Sequence, residues 1–238
     1  MSRMLKLKII AVGLIGGFAL GASADLLNNG SFETQSPVTN KPAGWATTLD
    51  GTYWQGYTKT GVTNVVFKTN SFAAAAGDYY IRKYSYAGAT VGTSVFSSVS
   101  YNLSALSLPA GTTDLVLSLY TTDTSGVADA GKMATYGSLV FYSGINGTGS
   151  VLGTYETSRL LSSTASAWVQ LSVTSAIPVN ALSFKVNGNV AFYQTITTAE
   201  SGQRFDGFSV TAIPEPATVS MFLLSGAGLL AIRRRLRS

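Results

Sequence analysis

The chain has 238 residues, with 16 Lys and Arg, 11 Asp and Glu, no Cys and no His. The missing residues exclude disulfides, Ser-His-Asp and Cys-His nucleophilic catalysis and most zinc chemistry, so an enzyme here would need carboxylate, Lys, Tyr or Ser/Lys chemistry. The formal charge of +5 invites a nucleic-acid partner, but where the charges sit decides the matter.

The chain opens with Arg3, Lys6 and Lys8, followed by an apolar run over residues 9–20 and then Gly21-Ala22-Ser23-Ala24. A basic start, a dozen apolar residues and small residues at Ala22 and Ala24 predict a secretory signal peptide over 1–24, cut by signal peptidase before Asp25. The run is short of the ~20 residues that span a bilayer.

The segment 25–212 is predicted to be the body. Without the two ends it keeps 9 basic and 10 acidic residues, so the basic balance belongs to the targeting segments and the nucleic-acid reading loses its support. Roughly 190 residues are enough for one sizeable core. Ser, Thr, Val, Tyr, Phe and Gly dominate, and period-two alternation recurs over 62–69, 114–121, 168–173, 181–186 and 205–210. Gly77-Asp78, residues 102–105, Pro109-Ala110-Gly111, Gly126, Asn146-Gly147 and Asn187-Gly188-Asn189 read as turns. The expected fold is an all-β sandwich or barrel of about ten short strands.

Four aromatic residues stand close together: Trp45, Tyr53, Trp54 and Tyr57. Tyr53, Trp54, Gln55 and Tyr57 are candidates for stacking on and hydrogen bonding a sugar. The competing reading places Trp45 and Trp54 in the core. Residues 123–132 hold two carboxylates without EF-hand spacing and read as a solvated loop.

The borders of the body are more specific. It opens Asn29-Gly30-Ser31-Phe32-Glu33, followed by Gly44-Trp45, and closes Phe205-Asp206-Gly207-Phe208. This pairing resembles jelly rolls of the carbohydrate-binding-module type, in which an N-G-x-F-E strand lies beside an Asp-containing last strand. The resemblance implies polysaccharide as a partner. It also implies a structural calcium near Glu33 and Asp206, to which Asn29 would add an oxygen. Calcium takes six to eight oxygen ligands.

Residues 213–238 read Ile-Pro-Glu-Pro, then an uncharged run over 217–232, then a terminal arginine cluster. Sixteen helical residues span about 24 Å against a hydrocarbon core of about 30 Å. The arginines would stay cytoplasmic and leave the body on the far side. Pro214, Glu215 and Pro216, the apolar run, and Arg233, Arg234 and Arg235 closely resemble the PEP-CTERM sorting signal of Gram-negative bacteria that make extracellular polysaccharide. That resemblance implies handling by the export machinery and an exosortase, a transient hold in the inner membrane by a short transmembrane helix, and release to the cell surface or beyond. The expected protein is a non-enzymatic, polysaccharide-associated surface or matrix protein. The alternatives are a structural or adhesive surface protein without a small ligand, and a carboxylate-based glycan hydrolase or lyase.

Overall fold

Alternating apolar residues can be buried only if two sheet faces meet, and the strands arrange themselves accordingly. The structure is a computed structural model. It describes residues 24–34, 42–46, 54–59, 68–70, 73–85, 88–124, 127–164, 167–197 and 201–214. The strands are β1 (Trp54–Lys59), β2 (Lys68–Asn70), β3 (Tyr79–Ser85), β4 (Gly92–Ser97), β5 (Tyr101–Asn102), β6 (Thr112–Thr124), β7 (Met133–Tyr142), β8 (Val151–Glu156), β9 (Leu160–Leu161), β10 (Val169–Ala176), β11 (Ser183–Phe192) and β12 (Ser201–Pro214). They form two sheets, ordered β10-β6-β12-β3-β1-β2 and β4-β11-β7-β8. From β3 onward most connections cross from one sheet to the other, as in a jelly roll. The expected all-β sandwich is therefore present. No helix among the described residues is long and apolar enough to cross a membrane. The two terminal segments expected to be targeting signals lie outside the described residues, apart from Ala24, Ile213 and Pro214.

The inner faces hold the core. Leu115, Leu117 and Leu119 of β6 and Phe205, Phe208 and Val210 of β12 face Leu139 and Phe141 of β7 and Phe184, Val186 and Val190 of β11. A Cβ on Gly137 would run into Leu119, and one on Gly188 would stand 3.1–3.4 Å from Phe208 and Phe205. These two glycines let the opposite sheet approach. Asn187-Gly188-Asn189, expected as a turn, is instead the middle of β11 (a correction), because Gly188 is the inward residue of a continuous strand.

The N-G-x-F-E segment also departs from expectation. It lies beside β12, through Leu26 N–H to the Val210 carbonyl and Phe208 N–H to the Gly30 carbonyl. Its residues, however, form a turn rather than a strand, with φ +60° at Asn29 and +61° at Phe32. β12 answers with a bulge between Asp206 and Ser209. Trp45 joins the same cluster, stacked on Phe96 at 4.7 Å and 5.0 Å from Phe32.

Candidate functional site

Of the predicted sugar-binding aromatics, Trp54 belongs to the core. It is 6% exposed and packs on Phe96 and Phe205, with Lys83 Nζ 5.8 Å from its ring centroid. This corrects the reading of Trp54 as a ligand contact. The pleat turns Trp54 inward. Tyr53 lies outside the described residues, and so do the side chains of Gln55 and Tyr57. Tyr80 is buried and meets Trp168 edge-on.

The predicted calcium residues separate into two groups. Glu33 and Asp206 converge on one turn: Glu33 Oε1 accepts the N–H groups of Asp78 and Tyr79, and Asp206 Oδ2 accepts that of Ala76. Asp206 Oδ1 accepts Gly207 N–H at 2.6 Å. Burial pushes the Asp206 carboxyl up to about 7. The amides of Ala76, Gly207 and Ala75 oppose that shift, and the nearby Glu33 charge adds to it. Among the described residues no third carboxylate, His or Cys joins the pair, so a cation here would have to draw its remaining oxygens from backbone carbonyls. Asn29 does not fit. Its Nδ2 donates to the carbonyls of Thr34 and Ala43 and its Oδ1 accepts Thr34 N–H, so its amide is spent on tying its own loop together.

Residues 123–132 are not the solvated loop expected. Asp123 and Asp129 are 2% and 0% exposed. Asp129 Oδ1 accepts Lys132 Nζ and both the N–H and Oγ1–H of Thr197. Asp123 faces inward at the end of β6. Its Oδ1 accepts Gln203 Nε2 at 3.0 Å, while its Oδ2 is buried without a partner. Burial raises this carboxyl to about 7, against the Gln203 bond.

The outer face of the β4-β11-β7-β8 sheet carries a constellation that the sequence did not announce. Because Gly137 and Gly188 point inward, Tyr136, Ser138, Asn187 and Asn189 point outward. Register sets Asn189 opposite Tyr136 and Asn187 opposite Ser138. Both asparagines donate from Nδ2 to Ser138 Oγ, at 3.3 and 3.0 Å. Tyr136, Ser138 and Asn189 are each 5% exposed or less, which makes a recessed floor on an outward face. Above it lies a rim. Arg159 sits 4.4 Å over the Tyr136 ring, donates from Nη1 to the Tyr193 hydroxyl at 3.0 Å and pairs through Nη2 with Glu156 at 2.9 Å. Glu156 and Tyr193 hold the Arg159 guanidinium above its usual range. Burial, then the Glu156 charge, raises the Tyr136 phenol, while Arg159 opposes the rise. Amides, hydroxyls and one aromatic ring under a charged rim can bind a neutral polyhydroxylated ligand. The usable sequence signal was period-two alternation continuing through Asn187-Gly188-Asn189, which turn composition masked.

No family model matches the chain, and no curated protein matches it. Similar solved structures include a cyclase from Fischerella sp. TAU, at 14% identity, covering 82% of this chain and 100% of that one with a TM-score of 0.48. A carbohydrate-binding module of the β-sandwich superfamily is 16% identical over 79% of this chain and 62% of its own, with a TM-score of 0.42. The enzymatically active domain of bacteriophage CBA120 tailspike protein 4 is 12% identical over 79% of this chain, with a TM-score of 0.42. The chain spans 21% of that tailspike's length. At these values the neighbours carry no chemistry over, and the functional reading rests on this chain's own residues.

Proposed function

We propose that the protein is an exported, non-enzymatic β-sandwich that binds extracellular polysaccharide on the outer face of its second sheet. The observation that carries this is the recessed Asn187–Ser138–Asn189 row beside Tyr136, rimmed by Arg159 and Tyr193. Side-chain amides hydrogen-bond sugar hydroxyls through both donor and acceptor, and an aromatic rim covers C–H faces. Export rests on the basic start and apolar run of 1–24. Exosortase sorting rests on Pro214, Glu215, Pro216 and the apolar run that ends in arginines. The non-enzymatic reading is supported by where the carboxylates go. Glu33 and Asp206 accept backbone amides, and Asp129 is ringed by Lys132 and Thr197. Glycosidase chemistry asks instead for two carboxyl groups facing a shared cleft. A glycan array and a pull-down on the producer's own exopolysaccharide should both score positive for the wild type. Binding to neither would leave the structural or adhesive role.

Calcium belongs to the same proposal. Glu33 and Asp206 would hold it, and the ion would neutralise their mutual repulsion. Added calcium should then raise the Tm over a chelated sample, and Asp206→Asn should abolish the rise. An unchanged Tm would leave the pair as anchors of the 76–79 turn.

A further inference from the structure

Both ends of the described chain leave the sandwich in the same direction. β12 finishes at Pro214, opposite Thr112, and the neighbouring Ile177 N–H bonds the Thr113 carbonyl. The opening segment runs antiparallel to β12, Leu26 against Val210 and Gly30 against Phe208, so Ala24 heads toward that same end. The connections β5–β6 (103–111), β7–β8 (143–150) and β10–β11 (177–182) lie there too.

This end differs from the rest of the surface. Residues 103–111, 143–150, 177–182 and 213–214 contain no Asp, Glu, Lys or Arg. They expose Val179 (85%), Ile145 (54%), Leu182 (46%) and Ile213 (39%). Fixed loops present these side chains. Asn146 N–H donates to Asn102 Oδ1, and Asn102 Nδ2 donates to Asn146 Oδ1. Gly147 N–H reaches Ser183 Oγ, whose hydroxyl donates to the Gly144 carbonyl. Leu182 N–H donates to the Tyr142 carbonyl. Among the described residues, the charged positions that flank these loops along the chain are Asp25, Asp114 and Lys185. Lys185 lies over the Tyr142 ring, and Asp114 accepts the Thr113 hydroxyl. The opposite end carries the Lys132–Asp129 pair, and Arg159 with Glu156 lies on the sheet flank toward it.

We infer that this uncharged end is a membrane-contact face, seated in the headgroup layer of a bilayer. The inference rests on the reading that the C-terminal run inserts. Given insertion, distance compels the contact. Only Glu215 and Pro216 separate Pro214 from the first residue of the uncharged run, Ala217. Three residues reach at most about 11 Å, and the interfacial layer on each side of the hydrocarbon is about 5–8 Å deep. A charged end held so close would need to be desolvated, whereas exposed aliphatics gain by leaving water. With no Lys or Arg in these loops, the contact needs no anionic lipid and does not depend on salt.

The chain has no cysteine, so single cysteines can carry an environment-sensitive fluorophore cleanly. The full chain is reconstituted into phosphatidylcholine vesicles with probes at Val179→Cys, Leu182→Cys, Val91→Cys and Leu223→Cys. The first two report the proposed face. Val91, 68% exposed at the other end, is the control, and Leu223 reports the tail. The expected result is a blue shift and loss of iodide quenching at Val179, Leu182 and Leu223, unchanged by salt, with Val91 fully quenchable. A shielded Leu223 beside Val179 and Leu182 probes as quenchable as Val91 would overturn the contact face and leave tail insertion standing. An unshielded Leu223 would overturn both. Shielding of Val179 without vesicles, rising with protein concentration, would assign the face to a second copy and also overturn the proposal.

Discussion

Gly30 shows how one residue joins the two borders of the body. A Cβ there would collide with the Phe208 carbonyl, a backbone atom that cannot swing away, and the Phe208 N–H bond to the Gly30 carbonyl would be lost with it. Gly30→Ala is expected to destabilise the fold by more than about 2 kcal/mol in chemical denaturation. Ser31→Ala, next to it, should cost under about 0.5 kcal/mol. Phe32 is a second such residue. Its φ of +61° is strained for an aromatic side chain, a cost of about 1–3 kcal/mol offset by packing against Trp45, Phe96 and Phe208. The N-G-x-F-E pattern announced that these residues meet the last strand. It did not announce a turn, because the positive φ values arise only when the segment closes on the β12 bulge.

Asp123 makes a pH prediction at the same scale. Its folded-state pKa of about 7 lies above the unfolded value near 3.9. Its contribution to stability is therefore present below about pH 4 and is lost as pH rises through 7. The loss is on the order of a few kcal/mol. Unfolding free energy should fall between about pH 4 and 7, with Asp206, raised by burial in the same way, adding to the fall. Asp123→Asn, which keeps the oxygen facing Gln203, should remove the Asp123 share and leave that of Asp206. A wild-type profile that does not drop over this range would contradict the assignment.

At the scale of elements, alternation carried most of the fold. Residues 114–121, 168–173, 181–186 and 205–210 fall on β6, β10, β11 and β12. Composition misled where it overrode alternation. Asn187-Gly188-Asn189 has turn chemistry, yet it continues the β11 ladder against both β4 and β7. The candidate binding face was hidden for that reason. Its members come from β7, β11, the β8–β9 segment and the residue after β11, and only register brings Tyr136, Ser138, Asn189, Arg159 and Tyr193 together. Trp54 stood between a sugar-contact and a core reading for the complementary reason: aromatic density does not say which face of a strand a ring occupies, and the structure puts this ring in the core. The rim is expected to act as a unit. Glu156→Gln should loosen Arg159 from Tyr136 and weaken polysaccharide retention, with a change in stability under about 1 kcal/mol because the pair is exposed.

For the whole molecule, the proposal takes the two terminal segments as targeting signals on a near-neutral body, and the fold adds that both ends of the described chain leave toward the loops that carry no charge. The recessed amide floor belongs to the flank of the second sheet, and the membrane-contact loops close one end of the sandwich. A chain held by its tail would thus keep its second sheet open to matrix polymer. The account stands most directly on that flank. Retention on immobilised exopolysaccharide should be strong for the wild type and at least about tenfold weaker for Asn187→Ala/Asn189→Ala, a loss of about 1.4 kcal/mol, with the melting temperature of the variant retained. Equal retention of the folded variant and the wild type would contradict the assignment of this face as the binding site.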